Sequence, residues 1–208
     1  MKGNILLAVQ GWDTSKWTEE FAKAAPKRKI MIDPEGLEDP SVNFAVVWKQ
    51  RPSSLAKLPN LKAIFSLGAG VDHVFQDPHV PQVPIVRIVS PDLTMRMTEY
   101  IVWQVLDHHR MGSKYRQQQR HKIWLEDRAQ PAAHQVTVGF LGLGVLGTDA
   151  ARKVASLGFN VTGWSRTPRY SHDVTCFFGE EQLPWFLATV DILVCLLPLT
   201  PQTRGMLS

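Results

Sequence analysis

The run Val136-Thr-Val-Gly-Phe-Leu141-Gly142-Leu-Gly144-Val-Leu-Gly147 constrains this chain more than any other stretch. An apolar, β-rich segment feeds directly into G-x-G-x-x-G. An Ala-rich helical pattern, Thr148-Asp-Ala-Ala-Arg-Lys-Val-Ala155, follows at once. A strand that turns tightly into a helix through these glycines is the βα unit of a dinucleotide-binding fold. Gly142 permits the turn, Gly144 lets the backbone approach a pyrophosphate, and Gly147 lets the helix pack close to the strand. The first helical turn, which contains Val145 and Leu146, then points free N–H groups at the anion. The alternative for this run is a glycine-rich turn that holds no ligand.

The next apolar strand is Phe159-Asn-Val161-Thr-Gly-Trp164. A site for NAD usually carries Asp or Glu at the end of this strand, where the carboxylate accepts from the ribose hydroxyls. Here the chain reads Ser165-Arg166-Thr167, with no carboxylate. These residues supply donors and a positive charge, which suits the 2′-phosphate of NADP. A charge-assisted contact of this kind is worth about 1.5–3 kcal/mol, roughly one to two decades of preference over NAD. The alternative is that Arg166 is a solvated loop arginine.

The remaining chain alternates in the same way. Strands are predicted at Asn4–Val9, Phe44–Trp48, Leu61–Leu67 and Ile85–Val89. Lys16–Ala25 reads as a helix, with Trp17, Phe21, Ala24 and Ala25 on its inward face, and Ser53–Leu58 as a short helical turn. A long helix is predicted from near Thr98 to near Gly112, with Ile101, Val102, Val105 and Leu106 as its apolar stripe. After the second strand of the glycine-rich unit come a short Val174–Phe177 strand, a helix over Gln182–Ala188 and a fully apolar strand at Asp191–Leu197. Such runs imply α/β architecture with parallel sheets covered on both faces. Residues 113–134 are polar but carry Tyr115, Ile123, Trp124 and Leu125. They read either as an arm packing on another subunit or as a surface helix and loop.

The 208 residues suffice for one large or two small domains, and 44% hydrophobic with 20% charged residues is the composition of a soluble globular protein. The net charge of +4 comes from scattered basic residues, which argues against a nucleic-acid partner. No apolar run is long enough to span a membrane, and residues 1–10 lack a signal-peptide pattern. Cys176 and Cys195 read as buried, reduced thiols of a cytoplasmic protein. The histidines show no metal-ligand spacing, so no metal site is expected.

Five segments together resemble the D-isomer-specific 2-hydroxyacid dehydrogenase family. They are Leu67-Gly68-Ala69-Gly70-Val71-Asp72, Thr98-Glu99-Tyr100, the Gly142–Gly147 turn, Trp164-Ser-Arg-Thr167 and Leu196-Leu-Pro-Leu-Thr-Pro-Gln-Thr203. With Trp48 and Met97, they further resemble the NADPH-using glyoxylate/hydroxypyruvate reductase branch. The resemblance implies two doubly wound domains. Residues 1–97 would form a flavodoxin-like substrate-binding domain. Residues 98–208 would form a Rossmann cofactor domain, incomplete here, with 113–134 as a homodimer arm. It implies hydride transfer from NADPH to the 2-oxo group of a small 2-oxo acid.

Ala69 and Gly70 would offer backbone N–H groups to the substrate carboxylate, and Trp48 would wall the pocket. Met97, Leu197, Pro198 and Thr203 would lie along the cofactor. Taken alone, the Leu67–Asp72 loop also fits an ordinary strand-to-helix turn, and Trp48 a core residue. The family's catalytic Arg, Glu and His have no counterpart among these residues. The expectation is therefore that the chain is C-terminally truncated, that the trio lies after Ser208, and that the 208 residues alone are inactive. A non-catalytic dinucleotide-binding module of the same fold is the alternative.

Overall fold

The computed structural model describes residues 3–207. The chain forms two compact units, Met1–Ile88 with Pro198–Ser208, and Val89–Leu197. In the first unit the elements are β1 (Asn4–Val9), α1 (Ser15–Ala24), β2 (Ile30–Ile32), β3 (Val42–Trp48), β4 (Ala63–Ser66), α2 (Asp72–Phe75) and β5 (Ile85–Arg87), with a single 3-10 turn at Leu55–Lys57. The strands are parallel in the order β2-β1-β3-β4-β5, the flavodoxin-like winding.

Alternation along β1 divides its side chains between two layers. Leu6 and Ala8 join Ala45, Val47, Ile64, Leu55 and Val74 on one face. Ile5 and Leu7 join Val46 on the other, beside Phe21, Phe44 and Leu67. The second layer is thin, because α1 contributes no buried residue. Trp17, expected to face inward, is 36% exposed and instead stacks between Trp12 and Phe21.

The second unit contains α3 (Pro91–His109), α4 (Gly112–Arg120), β6 (Thr137–Leu141), α5 (Val145–Ser156), β7 (Asn160–Ser165), β8 (Thr175–Phe178), α6 (Gly179–Ala188) and β9 (Ile192–Cys195). Its parallel sheet runs β8-β7-β6-β9, the winding of a mononucleotide-binding half extended by one strand. α5 buries Gly147, Ala150, Ala151 and Val154, one face of a helix, against Val138, Phe140 and Val161 and against Ile101 and Val105 of α3.

α3 starts well before Thr98. Ser90 Oγ accepts from the Leu93 N–H at 3.4 Å, and Pro91 occupies the first helical position, where its missing N–H is harmless. Asp92, Thr94 and Arg96 make the opening turns polar, so the apolar stripe marks only the buried part of the helix. The units accordingly divide at Ile88/Val89, ahead of the 97/98 division expected from sequence. β9 is shorter than the apolar run Asp191–Leu197 and lies at the sheet edge. Ile192 and Val194 pack inward, whereas Leu193 and Cys195 are exposed. Cys195 is thus not the buried thiol expected, because the strand's alternation places it outward with Leu193. Cys176 is half-buried.

The polar segment 113–134 is ordered by ion pairs and hydrogen bonds. Arg116 pairs with Asp107 through two nitrogens, at 2.5 and 2.8 Å. Lys114 Nζ reaches Asp127 at 2.9 Å, and Gln130 Nε2 donates to the His109 carbonyl at 2.6 Å. Ile123, Trp124 and Leu125 remain exposed, Trp124 at 98%. Among the described residues no helix is long and apolar enough to cross a membrane.

Candidate functional site

The three glycines at the start of α5 do different work. Gly142 has φ +102°, a conformation that side chains rarely adopt, and its N–H donates to the Trp164 carbonyl at 2.8 Å. A Cβ on Gly147 would lie 1.9 Å from the Gly142 carbonyl oxygen, so Gly147 is required by the contact between helix and turn. Gly144 is required by neither. Its φ of −75° and ψ of −165° are open to any residue, and a Cβ there would meet nothing within 4 Å. The open space lies directly at the N-terminus of α5. No side chain caps that end and its first turn carries no acidic residue. The leading N–H groups of Val145, Leu146 and Gly147 therefore lack the acceptor that helix geometry cannot provide. A helix end of this kind can receive an anion.

Leu197 is drawn to this turn, its Cδ2 3.2 Å from the position of a Cβ on Gly142. Met97 packs on the core and lines a groove with Tyr100 and Ile192–Leu196 between α3 and β9. Pro198 and Thr203 belong to the other compact unit. There the Thr203 hydroxyl accepts from the Thr200 N–H at 2.8 Å and donates to the Pro198 carbonyl at 2.6 Å.

At the end of β7, Ser165 is buried and its hydroxyl donates to the Thr167 carbonyl at 2.7 Å. Its proton is engaged in shaping the loop. Arg166 and Thr167 are exposed, and Arg166 has no partner among the described residues. Arg169 lies exposed on the same excursion, which an isolated bridge between Ser171 and Val174 closes. The sequence reading passed over Arg169, although a second arginine three positions after the first was a visible signal. The first carboxylate after Trp164 is Asp173, which contacts His172 Nδ1 at 3.1 Å.

In the first unit, the loop Leu67–Val71 joins β4 to α2. The N–H groups of Ala69 and Gly70 meet no acceptor among the described residues. Trp48, at the end of β3, is half-buried and stacks on Trp12 with ring centres 4.9 Å apart. Its ring also covers Gly68, where a Cβ would come within 2.7 Å of Cζ3. The Trp48 and His73 rings meet edge-to-face, with centres 5.1 Å apart. Ser66 Oγ lies 2.8 Å from His73 Nε2, 3.1 Å from the Gly70 carbonyl and 3.1 Å from the Gly68 N–H. Burial holds the His73 imidazolium below its ordinary pKa. The Asp72 carboxylate opposes that shift and Lys49 adds to it. Trp12 and Ser66 escaped the sequence reading. Ser66 and His73 flank the glycine loop within one short motif, whereas Trp12 reaches Trp48 only through the fold.

The structure thus gathers Gly142, Gly144, Val145, Leu146, Gly147 and Leu197 at one turn, Ser165, Arg166 and Thr167 at the neighbouring strand end, and Trp48, Ala69 and Gly70 around a second loop in the other unit.

Comparison with known proteins gives the family of the chain. Residues 102–208 match the profile of the D-isomer specific 2-hydroxyacid dehydrogenase NAD-binding domain. A glyoxylate/hydroxypyruvate reductase A from Yersinia enterocolitica is 37% identical over 212 residues, covering 99% of this chain and 67% of the relative. A D-isomer specific 2-hydroxyacid dehydrogenase from Xanthobacter autotrophicus, solved with NADPH, superposes with a TM-score of 0.91 at 36% identity, over 99% of this chain and 67% of that one. An NADPH-dependent glyoxylate/hydroxypyruvate reductase from Sinorhizobium meliloti, solved with NADP and sulfate, gives 0.84 at 42% identity, over 98% of this chain and 65% of that one. The chain therefore spans about two thirds of the length of these relatives. The chain belongs to the D-isomer specific 2-hydroxyacid dehydrogenase family.

Proposed function

We propose that the protein is an NADPH-dependent reductase of small 2-oxo acids of the glyoxylate and hydroxypyruvate type. The observation that carries this reading is the open space at Gly144, facing an uncapped helix end, beside a strand end that bears Arg166 in place of a carboxylate. A pyrophosphate fits the first, because Gly144 leaves room and the N–H groups of Val145 and Leu146 face it. The 2′-phosphate fits the second. Arg166 and the Thr167 hydroxyl are its donors, Arg169 adds charge, and Ser165 holds the loop. Leu197 would cover the cofactor from the sheet side, with Met97, Pro198 and Thr203 as further contacts carried by the family resemblance.

The nicotinamide supplies the hydride that reduces the 2-carbonyl carbon. The protein binds and orients. Ala69 and Gly70 direct two backbone N–H groups at the substrate carboxylate, and Trp48 walls that loop with an apolar ring. The exposed Ile123-Trp124-Leu125 patch, on a segment pinned by ion pairs, supports a homodimer in which this arm packs on a second copy. A cytoplasmic location fits the two free cysteines.

The test is the ratio of NADPH to NADH affinity in the wild type and in Arg166→Ala. Wild type should prefer NADPH, and the variant should lose roughly ten- to a hundredfold in NADPH affinity with little change for NADH. Equal affinities in the wild type, or equal losses for both cofactors, would refute the assignment.

A further inference from the structure

The proposed substrate loop raises a structural question that its glycines do not answer. Free N–H groups at Ala69 and Gly70 are useful only if the loop is held with those groups outward. The neighbouring helix α2 has four residues, so it has almost no dipole with which to orient an anion. Some other device must fix the loop.

That device is visible in the donor and acceptor count around Ser66. A serine hydroxyl has one proton and two lone pairs. The Ser66 proton has acceptors in the Gly70 carbonyl at 3.1 Å and, more distantly, the Gly68 carbonyl at 3.4 Å. The Gly68 N–H fills one lone pair at 3.1 Å. The second lone pair faces His73 Nε2 at 2.8 Å, so the count closes when Nε2 carries a proton. The reverse tautomer fails twice. It would leave the Gly68 and Gly70 carbonyls without the Ser66 proton. It would also place a proton on Nδ1, which is buried with no partner. An orphaned buried N–H is harder to accommodate than an orphaned lone pair.

We infer that Ser66 and His73 form a positioning clamp for the substrate loop: neutral His73, protonated at Nε2, holds the Ser66 hydroxyl, which turns the carbonyl of Gly70 and the N–H of Gly68 inward and so leaves the N–H groups of Ala69 and Gly70 outward for a carboxylate. This inference rests on the proposed reading of that loop. It assigns His73 a holding role rather than proton transfer, since its Nε2 proton is committed and its Nδ1 is sealed. The surroundings agree. The Trp48 ring packs edge-to-face with the imidazole, and desolvation outweighs the nearby Asp72 carboxylate, while Lys49 also disfavours a charged ring.

The experiment uses the whole enzyme and three variants. His73→Leu and Ser66→Ala should each raise the Michaelis constant for glyoxylate by roughly tenfold, the size of one lost buried hydrogen bond, with NADPH affinity unchanged. His73→Gln, whose amide nitrogen replaces Nε2, should recover most of that loss. Unchanged constants in both His73→Leu and Ser66→Ala, or a glutamine variant as impaired as the leucine one, would overturn the clamp. Long-range proton–nitrogen NMR on the wild type does not depend on variants folding. It should show Nε2 protonated and Nδ1 bare from neutral pH to below the ordinary imidazole range. A proton on Nδ1 would overturn the clamp as well. Oxalate titration followed at the Ala69 and Gly70 amides tests the loop reading separately. If those amides stay still while the tautomer is as described, the carboxylate assignment falls and the clamp stands as a loop-holding device.

Discussion

Two alanine substitutions at one turn separate packing from ligand space. In Gly147→Ala the new methyl would sit 1.9 Å from the Gly142 carbonyl oxygen, where real Cβ contacts essentially never fall below 3.0 Å. Helix α5 and the turn must separate by about an ångström, and overpacking of this kind costs about 1–3 kcal/mol. Alanine's better helix propensity returns at most about 1 kcal/mol. The net expectation is a loss of about 1–2 kcal/mol, together with weaker NADPH binding because the turn has moved. Gly144→Ala has no such clash, with nothing within 4 Å of the methyl and a backbone any residue adopts. A slightly poorer N-cap is offset by a less flexible unfolded chain, so stability should change by less than about 0.5 kcal/mol.

NADPH affinity in Gly144→Ala should nevertheless fall by at least roughly tenfold. The methyl occupies the space through which the pyrophosphate reaches the N–H groups, and losing one charge-assisted bond is worth about 1.5–3 kcal/mol. Urea unfolding by circular dichroism and NADPH titration by fluorescence, on the same preparations, measure both quantities. Wild-type NADPH affinity in Gly144→Ala would show that the open space is not the pyrophosphate seat. Destabilisation of Gly144→Ala as large as that of Gly147→Ala would refute the distinction between the two glycines.

Gly70→Val should abolish oxalate binding and spare NADPH binding, because its Cβ approaches only the flexible end of Asp72 at 2.6 Å; joint loss of both ligands in titration would point to a folding role instead. Thr98→Val removes a buried 2.6 Å bond from the Thr98 hydroxyl to Asp149, joining α3 to α5. It should lower stability by about 1–3 kcal/mol in urea, and an unchanged midpoint would count against that bond. If the arm mediates a dimer, Trp124→Ala should shift sedimentation velocity of the whole enzyme toward monomer, and an unaltered dimer would place the interface elsewhere.

The fold was legible where periodicity and glycine chemistry are local. β1, β3, β6, α5 and β7 announce themselves because each strand is an apolar run and α5 has one small-residue face. Ile30–Ile32 was not legible as a strand, being a three-residue run whose only support is its pairing with β1. The start of α3 was hidden for a different reason. Its first turns face solvent, so hydrophobic period reports burial and is blind to a polar helical beginning, whereas Ser90-Pro91 carried the capping signal. The inward placement of Trp17 failed because a helix pattern shows which residues share a face, and three stacked aromatics can satisfy one another on the surface.

The candidate site divides along the same line, and the division explains how the two proposed anion seats would arise by different means. In the second unit the proposed seat is the end of a twelve-residue helix, long enough to carry a dipole, so the glycine motif alone points to it. Sequence is sufficient there because every participating N–H lies within one turn of the motif. In the first unit α2 is a single turn, and the outward N–H groups of the loop cannot be maintained by a dipole. Their orientation depends on side chains at the two ends of the loop meeting each other, Ser66 from the strand and His73 from the helix. Ala69 and Gly70 were singled out by the family resemblance, since Leu67–Asp72 alone also fits an ordinary strand-to-helix turn. The Ser66–His73 contact was not legible, because the spacing of a serine and a histidine seven positions apart does not show that the loop between them folds back to bring the two side chains together.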